Sequence, residues 1–145
     1  MLREAGLSAD VAPVDRVGDL SAYEAVVLGS AIYIGRWRKE MVRFLKANEQ
    51  ALAERKAWLF SSGPTGEGDP PELIDGREVP EMLRPIVDRV QPQDVVVLHG
   101  AIDADDLNFL ERFAVKNVGA PLGDFRDWEA IAAWAEDIAD VLKSS

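Results

Sequence analysis

The stretch "GSAIYIGRW", residues 29–37, brings two glycines, a serine, a tyrosine, an arginine and a tryptophan into nine positions. A second stretch, "SSGPTGEGD" at 61–69, adds two serines, a threonine and three glycines. Residues of these types can hold a flat, polar ligand. Hydroxyls of Ser30, Ser61, Ser62 and Thr65, set among backbone amides, suit the polar edge of a heterocycle. Tyr33 and Trp37 can stack on an aromatic ring. Gly29, Gly35, Gly63 and Gly66 let backbone approach closely or take a positive φ. Arg36 can balance negative charge on a reduced ring or an acidic substrate. The composition alone leaves a plainer alternative open, in which these are turn and capping residues with Tyr33 and Trp37 packed on a helix.

Other chemistries are excluded or disfavoured by what is scarce. The chain of 145 residues has no cysteine and one histidine, His99. Disulfides, thiolate metal sites and a Cys nucleophile are therefore excluded, as is a multi-His metal site; a Ser-His-Asp site is disfavoured. His99 itself reads as a half-buried residue at a strand end. Asp103, Asp105 and Asp106 suit the electrostatics of a helix start better than a cation site. Arg126, between Asp124 and Asp127, suits local ion pairs that fix the last helix. A formal net charge of −10 disfavours nucleic acid and anionic lipid as partners. It suits solubility, or docking onto a basic partner.

The length fits one domain over 1–145, and 48% hydrophobic content with mean hydropathy of −0.08 fits a globular chain. No apolar run approaches the roughly 18 residues of a membrane span. The opening "MLREAGLSAD" has no apolar signal core, so a cytoplasmic protein is expected.

Two elements must position the two loops. "EAVVLGS" (24–30) and "AWLFSS" (57–62) are apolar runs of the kind found in strands covered on both faces. "DVVVLHGA" (94–101) is a third. "SADVAPV" (8–14) alternates briefly and predicts a short fourth strand. Trp37, Met41, Phe44 and Leu45 predict a helix over 36–48. Val79, Met82, Leu83, Ile86, Val87 and Val90 predict another, with Pro85 either kinking it or lying in its first turn with Pro80 outside. Asp103 is a candidate cap for a helix bearing Leu107, Leu110 and Phe113. Asp127 is the candidate cap of a final amphipathic helix from Trp128 to Leu142. Strands alternating with helices predict an α/β fold with a mostly parallel sheet. In such sheets ligands bind at the carboxyl ends of the strands, where both loops lie.

"LSAYEAVVLGSAIYIGRWRKEMVRFL", "AWLFSSGPTG" and "GDFRDWEAIAAWA" resemble the flavodoxin-like proteins. The closest group is the flavodoxin-type protoporphyrinogen oxidases and their bacterial relatives. The resemblance implies a three-layer α/β/α fold and non-covalent binding of FMN. It places the ring between residues 30–37 and 61–68. The implied cofactor residues are Ser30, Ala31, Ile32, Tyr33, Ile34, Gly35, Ser61, Ser62, Gly63, Pro64, Thr65 and Gly66, with Tyr33 stacking on the ring and Trp37 packing on the helix. No catalytic side chain and no metal is implied, because the flavin carries the electrons. The expected substrate is of the protoporphyrinogen (tetrapyrrole) type, with a quinone as acceptor. Two alternatives are an electron-transfer flavodoxin docking to a basic redox partner and a flavin-free interaction module. The resemblance also implies a first strand and a Ser/Thr/Gly-rich phosphate loop ahead of "MLREAGLSADV", about 25–30 residues that form most of one βα unit. Without that strand, the strands at 8–14 and 24–30 either pair directly or leave an apolar edge open to a second copy.

Overall fold

The computed structural model describes residues 1–33, 35–63, 68, 70, 78–102 and 122–145. Its centre is the set of three apolar runs. β1 (Ala25–Tyr33), β3 (Lys56–Ser62) and β4 (Asp94–Leu98) lie side by side in parallel. The register pairs Leu28 with Leu59 and Ser30 with Ser61, and Leu59 in turn with Val95. A two-residue strand, β2 (Arg36–Trp37), folds back antiparallel on the end of β1, giving the order β2-β1-β3-β4. A small separate ribbon pairs β5 (Ala101–Ile102) with β6 (Gly123–Asp124).

Strand side chains alternate between faces, so each run feeds two cores. On one face Leu28, Ala57 and Leu59 meet α1 (Lys39–Ala47), α2 (Glu49–Ala53) and α3 (Arg84–Val90). These helices contribute Met41, Phe44 and Leu45, then Leu52, then Ile86 and Val90. Leu45, Leu52 and Leu59 are each no more than 1% exposed. Burying a leucine to that degree stabilises by about 1.5–3 kcal/mol. On the other face lies α4 (Trp128–Lys143). Its Trp134 ring meets Phe60 edge-on at 5.7 Å, and Trp134 Nε1 donates to Asp94 Oδ2 at 3.0 Å. The described residues thus form the expected α/β/α layers.

Local signals explain the helix limits. Pro85 lies in the first turn of α3, where no N–H is needed, and Pro80 stands before the short 3₁₀ turn Glu81–Leu83. Of the two expected roles for Pro85, the first-turn role holds. Asp127 caps α4 by accepting from the Ala130 N–H at 3.0 Å.

Two expectations are corrected. Residues 8–14 form no strand: among the described residues the segment has no ladder partner, and Val14–Arg16 is a 3₁₀ turn. Pro13 lacks a donor, Asp10 is held by the Tyr23 hydroxyl at 2.8 Å, and Val11 is 93% exposed. Strands at 8–14 and β1 therefore do not pair, and the edge of β1 away from β3 has no described partner from Ala25 to Ala31. The first helix also starts later than its apolar spacing suggests. Gly35 takes φ +68°, which turns the chain back and places Trp37 on β2 rather than on a helix. The helix expected after Asp103 lies outside the described residues.

Gly29 has a packing role. A Cβ added there would fall 1.9 Å from Phe60 Cζ, so the Phe60 ring sits directly on the Gly29 backbone. Gly29→Ala is expected to lower stability by about 1–3 kcal/mol in chemical denaturation. Phe60→Leu in the same chain is expected to recover part of that loss. An unchanged midpoint for Gly29→Ala alone would contradict this contact.

Candidate functional site

The carboxyl ends of β1, β3 and β4 form a rim, and two serines at one ladder level build it. Ser61 is fully buried. Its Oγ accepts from Trp37 Nε1 at 2.8 Å and donates to the Glu78 carbonyl at 2.8 Å. Ser30 is 6% exposed; its Oγ accepts from the Arg38 N–H at 3.0 Å and donates to the Ala31 carbonyl at 3.1 Å. Both hydroxyls therefore fasten protein to protein. Ser61 ties β2 and the chain at Glu78 to β3. Ser30 holds the backbone at the start of α1. Trp37, at 4% exposed, belongs to the core, in keeping with its expected packing role.

Glycines bring the three strand ends into backbone contact. A Cβ on Gly63 would lie 2.8 Å from the Ile32 carbonyl oxygen, and one on Gly100 would lie 2.9 Å from Gly63 Cα. Gly63 N–H also points to the Leu98 carbonyl at 3.4 Å. Glycine is needed at both positions for this seam. Gly100 was not among the expected site residues, since its signal is visible only once β3 and β4 are adjacent. His99 Nε2 donates to the Gly68 carbonyl at 2.8 Å, tying the loop after β3 to the end of β4.

Of the expected cofactor residues, the structure brings Ser30, Ala31, Ile32, Gly35, Ser61, Ser62 and Gly63 to one end of two adjacent strands. Ala31 is exposed, and the Ser62 hydroxyl forms no hydrogen bond among the described residues. Ile34, Pro64, Thr65, Gly66 and the side chain of Tyr33 lie outside the described residues, as do Asp103, Asp105 and Asp106. Around the first loop Arg36, Arg38 and Lys39 are exposed, and among the described residues Glu40 lies 3.9 Å from Arg38.

The "GDFRDW" segment borders the same rim, since Phe125 N–H donates to the Gly100 carbonyl at 3.0 Å. Arg126 grips Asp124 with two bonds, 2.9 and 2.6 Å, and lies 5.1 Å over the exposed Trp128 ring. The Arg126 side chain, then its backbone N–H, holds the Asp124 carboxyl down at about 2. Because that value lies below the usual carboxylate range, the pair is intact at neutral pH and is lost only as pH falls through about 2. A cavity of about 490 Å³ opens at the opposite, amino ends of the strands, beside Glu24, Lys56 and Gln93. Its cations are already engaged: Arg55 by the Tyr23 carbonyl, Lys56 by Ser145 and Arg89 by Glu49. Among the described residues no group of His, Asp or Glu is arranged to hold a metal ion. No described helix is long and apolar enough to cross a membrane.

The family model of the flavodoxin domain matches residues 1–128. The chain belongs to the flavodoxin domain family. No curated protein and no solved structure matches it. The parallel sheet with helices on both faces is the fold the resemblance implies. In this flavodoxin domain the rim at β1 and β3 is the end of the sheet where α/β proteins take their ligands.

Ser61→Ala leaves the buried Trp37 indole N–H without its acceptor. The expected loss is about 1–3 kcal/mol of stability. Trp37→Phe in the same chain is expected to cost less than the sum of the two single changes, because the two side chains share one bond. Strict additivity in denaturant melts would contradict the tie.

Proposed function

We propose that this flavodoxin domain binds FMN at the rim of β1 and β3 and serves in redox chemistry. The observation that carries the reading is the register Ser30↔Ser61, which sends both candidate loops off one end of two neighbouring parallel strands. The exposed Arg36, Arg38 and Lys39 support it, because they offset negative charge at that end. The close approach of backbone at Gly63 and Gly100 supports room for the ring portion of the group, with Ser62 as the proposed partner of its polar edge. The residues do not fit the phosphate portion. Among the described residues no Ser/Thr/Gly-rich helix start stands at this rim.

When bound, the flavin supplies the electron-accepting chemistry. The protein's part is to orient the ring, with Tyr33 as the stacking residue, and to screen charge through Arg36. The resemblance carries a substrate of the protoporphyrinogen type with electrons passed to a quinone. The acidic surface elsewhere supports an electron-transfer role with a basic redox partner instead. One observation favours a flavin-free interaction module. The Ser30 and Ser61 hydroxyls are already committed to Arg38 and Trp37.

An FMN titration followed by flavin fluorescence separates the flavin readings from the flavin-free one. Saturable quenching is expected, with affinity reduced about 2- to 10-fold by Tyr33→Ala, the range of one aromatic contact. A chain that is folded by circular dichroism yet leaves FMN fluorescence unchanged overturns the flavin reading.

A further inference from the structure

His99 is the chain's single histidine, and its ring reaches across to the loop after β3. Its Nε2 donates to the Gly68 carbonyl at 2.8 Å. The two residues that flank His99 hold the start of the same loop. The Leu98 carbonyl accepts from the Gly63 N–H at 3.4 Å, and a Cβ on Gly100 would lie 2.9 Å from Gly63 Cα. Three consecutive residues at the end of β4 therefore grip the chain at Gly63 and again at Gly68.

The two grips differ in kind. At Gly63 backbone meets backbone, so a change of side chain at 99 leaves that contact in place. At Gly68 the tie is a side-chain bond. A carbonyl can only accept, so the imidazole presents Nε2–H to it. Gly68 takes φ +126°, a conformation that favours glycine. Between the two grips lie Pro64, Thr65 and Gly66, which the resemblance assigns to the cofactor together with Ser62 and Gly63. Fixing both ends of a segment in advance reduces the conformational entropy that a ligand must remove when it binds.

We propose that His99 is a positioning residue: by closing the loop at Gly68 it holds residues 62–66 ready for the flavin ring. The proposal rests on the flavin reading, and it gives His99 no contact with the ring and no proton transfer. Without the bond, ordering the far end of the loop falls to the ligand, and binding weakens. The loop serves the ring and not the phosphate. Riboflavin, which has the ring without the phosphate, therefore responds as FMN does.

Titration of the 145-residue chain with FMN and with riboflavin, beside its His99→Ala and His99→Gln variants, tests it, each chain being checked for its fold by circular dichroism. His99→Ala is expected to weaken both flavins about 2- to 10-fold, the range of one hydrogen bond. His99→Gln, whose amide nitrogen reaches the Nε2 position, is expected to recover most of that loss, which a general loosening would not allow. In the flavin-free chain the Gly68 carbonyl ¹³C signal is expected to move in His99→Ala and to return in His99→Gln. Equal flavin affinity in the wild type and His99→Ala overturns the proposal alone. So does an unmoved Gly68 signal, a loss that His99→Gln fails to recover, or a loss confined to FMN. A folded wild-type chain that binds neither flavin overturns the flavin reading, and this proposal with it.

Discussion

A single buried hydroxyl organises the carboxyl end of the sheet. Ser61 sits at 0% exposure and takes the Trp37 indole proton while giving its own to the Glu78 carbonyl. A buried donor without an acceptor costs more than a typical bond contributes, so Trp37 and Ser61 are held to each other. That bond crosses 24 residues of chain. It seats β2 against the end of β3, and β2 in turn fixes where the chain reverses at Gly35. At the same ladder level on β1, Ser30 accepts from Arg38 and fixes the entry to α1. The rim inherits its shape from these two hydroxyls.

The rim combines close backbone packing with exposed cations at β2 and the start of α1. Gly63 and Gly100 allow three strand ends to touch through backbone. Arg36, Arg38 and Lys39 stand beside it while the chain as a whole carries −10. No acid, base or nucleophile is assembled among the described residues.

Much of the fold was legible in sequence because it depends on signals within one element. Apolar runs mark β1, β3 and β4, and the spacing of Ile131, Ala135, Ile138 and Leu142 marks α4. Asp127 as a cap and Pro85 in a first turn follow from local backbone chemistry. What was missed depends on contacts between elements. Residues 8–14 alternate like a strand, but a strand needs a neighbour, and none is described beside it. Trp37 has helical spacing from Met41, yet the positive φ of Gly35 returns it to the sheet. Gly29 reads as room for a ligand, and it is room for Phe60. Ser30 and Ser61 read as ligand donors, and their partners turn out to be Arg38 and Trp37. Serine's versatility is the reason, since one hydroxyl serves a cofactor or a fold equally well.

The most direct test of the account is a backbone amide map of the ¹⁵N-labelled chain titrated with FMN. Shifts confined to the rim, at Ala31–Gly35, Ser62–Gly68 and His99–Gly100, are the predicted result. Shifts centred instead on the amino ends of the strands, near Arg55, Lys56 and Gln93, would contradict it, as would a spectrum that FMN leaves unchanged.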